Sequence, residues 1–275
     1  MKFSYGDAVM LIDAKGRKKL IHLVRGDRYF SHAGAINHDD LVDVSDASIV
    51  ETDKGMKYLA ISPLLRDYSL SMRRGATIVY PKDAAMIIGY ADLQPGSRVL
   101  EAGVGSGALA ASILRAIGSE GYLVSYERRA EFAELARKNV ETFFQKKISN
   151  WSVVVGDVSE CTGNEFTHLI LDMLEPWVAL KSIHGNLTAG GVACIYVATT
   201  TQLSAMVETI RSLGSFTEPE AFETILRPWH LDGLAVRPEH RMNGHTGFLV
   251  ITRRLADGSA PFVKRRKFSS EGEHD

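Results

Sequence analysis

Arg98-Val99-Leu100-Glu101-Ala102-Gly103-Val104-Gly105-Ser106-Gly107 decides the reading of this chain. The apolar Val99-Leu100 ends in an acid and a glycine turn, and Ala108–Ile117 behind it reads as an apolar helix stopped by Gly118. Strand, glycine loop and helix form the unit that cradles a nucleotide. Glycines let the loop turn sharply and leave bare backbone for a ligand. A dinucleotide loop reads G-x-G-x-x-G. Here Gly103, Gly105 and Gly107 spell G-x-G-x-G, with Glu101 two residues before the first. A pyrophosphate wants naked N–H groups, whereas a zwitterionic amino acid also wants an acid for its ammonium. Glu101 therefore favours S-adenosylmethionine over a nicotinamide dinucleotide. An ordinary tight strand–helix turn is the bland alternative.

Downstream, strands and helices alternate, which predicts a mostly parallel sheet with helices on both faces. Predicted strands are 122–126, 151–155, 167–171 and 192–197, and predicted helices about 83–91, 130–144, 176–187 and 202–213. Residues 216–226, 229–236 and 247–254 read as a closing antiparallel pair joined by 237–246, giving a seven-stranded sheet. Glu101, Glu127, Asp157 and Asp172 each close an apolar strand, and ligands of such sheets bind beyond the strands' C-terminal ends. Glu127, on the neighbouring strand, is placed to accept ribose hydroxyls and Asp157 an adenine amino group. Phe132 could pack on the cofactor or in the core. One such acid could be a helix N-cap; four in register argue for a class I methyltransferase site.

Asp172 opens Asp172-Met173-Leu174-Glu175-Pro176-Trp177, on the strand facing the methyl end of the cofactor. An adenine N1 is a neutral lone pair and attacks without deprotonation. The positive charge that develops spreads to the exocyclic amino group, where a carboxylate can accept a hydrogen bond and then a proton. A helix cap is the alternative for Asp172. Tyr196 could line a base pocket or pack within its strand; Tyr80, before Pro81, could lean over a base or fill core.

Residues 1–75 read as a small β-rich domain of short strands separated by turn signals, residues 76–255 as the methyltransferase domain, and 256–275, with Lys264-Arg265-Arg266-Lys267, as a disordered tail. Lys15, Arg17, Lys18, Lys19, Arg25 and Arg28 could meet phosphates or simply face solvent. The 275 residues carry 32 Lys and Arg against 33 Asp and Glu, so net charge predicts no nucleic-acid partner. No run approaches the roughly 20 apolar residues of a membrane span, and the first residues hold no signal-peptide core. Cys161 and Cys194 lack paired spacing and read as free thiols in a reducing cytoplasm, with no metal site expected.

These residues carry a resemblance. Tyr80-Pro81-Lys82-Asp83, Glu101–Gly107, Asp172–Trp177, Tyr196–Gln202 and Gly244-His245-Thr246-Gly247-Phe248-Leu249 are similar to the bacterial and archaeal TrmI family of tRNA (adenine-N1)-methyltransferases, in its actinobacterial form. The resemblance spans about residues 5–255. It implies methylation of adenine 58 in the tRNA T-loop, an N-terminal β domain and a homotetramer. It carries catalysis to Asp172, target-base or pocket roles to Tyr80 and Tyr196, and cofactor roles to Val104, Gly105, Ser106, Gly107, Glu127 and Asp157. The rival readings are a class I methyltransferase for a protein or small molecule and a non-catalytic RNA-binding subunit. The latter would usually lack the glycines or the strand-end acids, all of which are present.

Overall fold

The computed structural model describes residues 1–163 and 165–262. Six N-terminal strands come first: β1 (Ala8–Asp13), β2 (Lys18–His22), β3 (Arg28–Ser31), β4 (Gly34–Asn37), β5 (Ser48–Glu51) and β6 (Lys57–Ile61). Four form an antiparallel sheet in the order β2-β1-β6-β5, while β3 and β4 form a separate hairpin. Phe3, Leu11, Leu23, Ile36, Leu41 and Tyr58 fill a core of its own under this sheet. Several basic residues of this region are spent on local acids: Arg17 pairs with Asp13, Lys18 with Asp67 and Arg28 with Asp53.

Helix α1 (Leu65–Ser71) leads to α2 (Pro81–Tyr90), with Tyr80 as N-cap and Pro81 in the first turn, where a missing N–H costs little. Then follow β7 (Arg98–Ala102), α3 (Ala108–Ile117), β8 (Tyr122–Glu127), α4 (Ala130–Phe144), β9 (Trp151–Val155), β10 (Phe166–Asp172), α5 (Pro176–Ile183), β11 (Leu187–Val197) and α6 (Thr200–Leu213). The chain closes with β12 (Glu220–Phe222), β13 (Trp229–Asp232), β14 (Ala235–Pro238) and β15 (Phe248–Arg253). The main sheet runs β12-β15-β11-β10-β7-β8-β9, with β7 to β11 parallel and β15 antiparallel to β11. Strand order reverses at β7, which opens a crevice at its C-terminal end. Because helices cover both faces, Val99, Leu100, Leu169 and Leu171 are all fully buried, as parallel strands demand.

Two expectations are corrected. The helix expected to reach Leu187 stops at Ile183; a 3-10 turn, His184–Asn186, follows, and Leu187 already pairs with Phe166. Gly185 weakens the helix there, and the Asn186 amide donates to the Cys161 carbonyl at 3.1 Å. Residues 188–191 belong to β11, where the register shifts between the Phe166 and His168 pairings. Second, residues 229–236 do not join the main sheet. They turn back at Gly233-Leu234, with Gly233 at φ +53°, and pair as the β13–β14 hairpin. A glycine opening a two-residue turn between short apolar runs is a hairpin signal that could have been read. Positions 263–275, with the basic run of the predicted tail, lie outside the described residues.

The junction between the two sheets is stitched by Asn139 on α4. Its side-chain amide donates to the carbonyls of Arg73 and Ser106, each at 2.9 Å, and the Asn139 backbone carbonyl accepts the hydroxyl of the buried Tyr68 at 2.8 Å. A buried acceptor left unmade costs roughly 1–3 kcal/mol. Asn139→Ala is expected to lower unfolding free energy by about 2 kcal/mol, read as a lower urea midpoint with an unchanged slope.

Candidate active site

The site forms where β7 and β10 end side by side. Gly103 lies at φ +89°, and a Cβ there would stand 1.8 Å from the Asp172 carbonyl oxygen. Only glycine lets the loop pass so close. Gly107 opens α3 at φ +83°, and a Cβ would press on the backbone of Ala136 at 3.0 Å, so it sets how α3 meets α4. The Gly105 N–H donates to Glu127 Oε2 at 3.2 Å. Val104 turns its side chain into the core. Ser106 is buried, and its hydroxyl accepts the Gly75 N–H at 3.3 Å, so it ties the loop to the segment before α2.

Two adjoining clefts, of about 450 Å³ and about 490 Å³, share Gly103, Glu127, Arg129, Asp172, Met173 and Leu174. The first extends to Arg128 and Asp157, the second to Gly105, Tyr196, Gln202 and Thr246. Glu127 Oε1 accepts from the backbone N–H and Nε of Arg129 at 3.2 and 3.3 Å. Asp157 accepts the Ser159 N–H at 2.9 Å and pairs with Arg128. It therefore caps a short turn as well as lining the cleft, and those bonds hold its carboxyl below the usual range.

The other two acids are held high. Burial pushes the Asp172 carboxyl up to about 7, and no described residue donates a hydrogen bond to it. Glu101 is fully buried and lines neither cleft. Burial pushes it up to about 8; the Ser125 hydroxyl, donating to Oε2 at 2.5 Å, works against that, while Asp172 and Glu127 add to it. Ser125 in turn accepts the Trp151 indole N–H at 2.9 Å. Glu101 Oε1 is buried with no partner among the described residues.

Tyr196 lines the second cleft, with burial raising its hydroxyl above the usual phenol range. Gly247 lies flat on its ring, where a Cβ would come within 2.4 Å. Tyr80, half-buried at the N-cap of α2, and Phe132 are not among the residues lining either cleft. The Phe132 ring packs under Gly75 and lies 3.6 Å from the Arg129 guanidinium. Sequence reasoning gave no role to Arg128, Arg129 or Thr246. The arginines directly follow Glu127, so a basic pair after a strand-end acid was their available signal.

Residues 56–233 match the family described as tRNA methyltransferase complex GCD14 subunit, and residues 2–50 match the TrmI-like N-terminal family. The chain belongs to the TrmI family of tRNA methyltransferases. It is 34% identical over 248 residues to tRNA (adenine(58)-N(1))-methyltransferase TrmI of Thermus thermophilus, covering 90% of this chain and 96% of that one. It is 27% identical to the Methanocaldococcus jannaschii TrmI named for adenines 57 and 58, covering 89% and 94%. Among solved structures, Aquifex aeolicus TrmI superposes with a TM-score of 0.81 at 26% identity, covering 93% of this chain and 100% of that one. A Thermotoga maritima protein described as a SAM-dependent O-methyltransferase superposes at 0.88 and 30% identity, covering 93% and 95%. The class I methyltransferase architecture of the TrmI family thus holds across the main sheet, with a small antiparallel sheet before it.

An acid whose folded pKa is raised binds its proton more tightly in the folded state. Its contribution to stability is present below the unfolded pKa and is lost as pH rises through the folded one. For this TrmI-family chain, Glu101 spans about 4.5 to about 8 and Asp172 about 3.8 to about 7. The ligand-free protein is expected to lose thermal stability as pH rises from 5 to 8. Glu101→Gln should flatten that slope in a pH series of melting temperatures.

Proposed function

We propose that this chain transfers the methyl group of S-adenosylmethionine to N1 of adenine 58 in the tRNA T-loop. The observation that carries the reading is Asp172: a carboxyl raised by burial, without a hydrogen bond from the described residues, on the floor common to both clefts. The donor set suits the cofactor. S-adenosylmethionine is cationic, and Glu127, Asp157 and Asp172 line the clefts. Glu101 Oε1, buried with no partner among the described residues, is one more polar atom beneath the loop. Glu127 and Asp157 would hold the sugar and base, and the backbone of Gly103 to Gly107 the amino-acid end. Bound cofactor supplies a methyl group on a sulfonium leaving group.

The protein's own part is then to place the adenine. Tyr196 and Thr246 wall the second cleft, and Asp172 stands between the two clefts. As positive charge develops on the adenine ring, the Asp172 carboxylate accepts from the N6–H, stabilises the cation and can take the proton. Arg129, stacked on Phe132 and bonded to Glu127, fixes the shared wall. Tyr80 would act from the α2 N-cap at the edge of the base pocket.

We also propose a homotetramer working in the cytoplasm. On the arm between β12 and β15, Trp229, Leu231, Leu234 and Val236 are more than half exposed, and apolar patches of this kind mark association surfaces. A tetramer would merge basic patches that a near-neutral chain cannot show singly.

Methyl transfer from labelled S-adenosylmethionine to unmodified tRNA, followed by nucleoside digestion, should yield 1-methyladenosine. A tRNA without adenine at position 58 should yield none. Label in a ribose O-methyl group, or none in tRNA with cofactor still bound, would sink the reading. Asp172→Ala should keep cofactor affinity and cut turnover roughly 10²-fold or more, while Glu127→Ala should weaken cofactor binding first. Because Asp172 works as a carboxylate, wild-type kcat/KM should rise with pH through about 7, and Asp172→Ala should remove that limb.

A further inference from the structure

The 223–246 arm leaves the sheet after β12 and returns at β15, and both its feet are tied beside the second cleft. Lys82, in the first turn of α2, is nearly buried, and its ammonium makes a full set of bonds. It donates to Asp83 Oδ1 at 2.6 Å, to Thr246 Oγ1 at 2.6 Å and to the Thr224 carbonyl at 2.8 Å. Thr224 Oγ1 donates to Asp83 Oδ1 at 2.9 Å and Thr246 Oγ1 to Asp83 Oδ2 at 2.7 Å, so one buried ion pair holds both feet. A second tie lies beside it. His245 Nδ1 faces Glu223 Oε2 at 2.7 Å and Nε2 faces the Ala198 carbonyl at 2.9 Å. Both partners are acceptors, so the imidazolium donates to both at once, whereas the neutral ring can donate to only one. Ala198 and Thr246 line the cleft, and Gly247 lies on the Tyr196 ring.

We propose that Lys82 and His245 are positioning residues: together they clamp the feet of the arm and press residues 246–247 onto Tyr196, setting the width of the target-base side of the cleft. They act through Tyr196 and Thr246 and touch neither reacting atom. The inference rests on the tRNA-adenine reading for the identity of the base and deepens it. A base stacked on an aromatic ring is held by how closely the facing wall packs against it, so a slackened wall weakens binding of the tRNA more than it slows transfer. The clamp is also tuned by protons. His245 is raised above the ordinary imidazole value, first by the Ala198 carbonyl and then by Glu223. Facing it are Glu223 from the outgoing foot, Lys82 from α2, which opposes the shift, and the uncharged Phe248 ring of β15. The doubly bonded imidazolium is complete at low pH, and one bond is lost as pH rises through its raised pKa.

The test combines two readouts. In the full-length protein, hydrogen exchange of the peptide spanning 244–249 needs no substrate. His245→Ala and Lys82→Met should each speed that exchange. Both should raise KM for tRNA about tenfold, more than they lower kcat, and keep the S-adenosylmethionine Kd within about twofold. Lys82→Arg, which keeps the charge, should recover part of the loss. Wild-type KM should climb from pH 7 to 9, whereas His245→Gln, carrying the same Asp172, should stay level. Unchanged exchange and KM would overturn the clamp, as would cofactor affinity falling in step with transfer. If the wild-type protein does not methylate tRNA, the reading of the substrate falls, and the exchange result alone decides the clamp.

Discussion

The close approach of the Gly103 backbone to the Asp172 carbonyl is the constraint on which the site depends. Two parallel strands, β7 and β10, end side by side, and a side chain at 103 would force them apart. With glycine there, the loop passes over the end of β10 and leaves Asp172 on the floor of both clefts. The positive φ at Gly103, Gly105 and Gly107 lets the loop turn within five residues into α3. Ser106 and Asn139 hold that turn from behind, through Gly75 and Arg73. The segment leading out of the N-terminal sheet is thereby fixed by the same bonds as the loop.

Electrostatics follow from that packing. The acids at these strand ends are not equivalent. Asp157 is partly exposed and bonded, so it stays ionised; Asp172 and Glu101 are stripped of water and held high. Collecting unbalanced carboxyls at one crevice costs stability when they are charged and empty-handed. A cationic ligand reverses that cost, which favours such a ligand over an anionic one. Arg128 and Arg129 moderate the field on the outer wall, each through a single acid.

The other wall is made by parts of the chain far apart in sequence. Lys82 and Asp83 open α2, Tyr196 ends β11, and Thr246 and Gly247 return from the arm. The arm carries exposed apolar residues at its far end and polar ties at its feet. A contact made at its tip therefore has a mechanical connection to the Tyr196 wall of the second cleft.

The main sheet was legible in the sequence. Apolar runs of strand length, an amphipathic period between them and a G-x-G-x-G turn each specify local geometry, and Ala108–Ile117 and Ala130–Phe144 form the helices expected of them. The helix break at Ile183 and the hairpin turning at Gly233-Leu234 escaped, although Gly185 and Gly233 were there to be read. The strand-end acids were likewise visible, because strand ends are local. What each acid does was not. Burial of Glu101 against Ser125, the cap made by Asp157 and the burial of the Asp172 carboxyl, which has no donor among the described residues, depend on which strands lie side by side. The pairing of Tyr80-Pro81-Lys82-Asp83 with Gly244-His245-Thr246-Gly247 was beyond sequence for the same reason. Local pattern fixes where a chain turns and which face is apolar; desolvation and hydrogen-bond partnership are set by neighbours that only the folded sheet brings together.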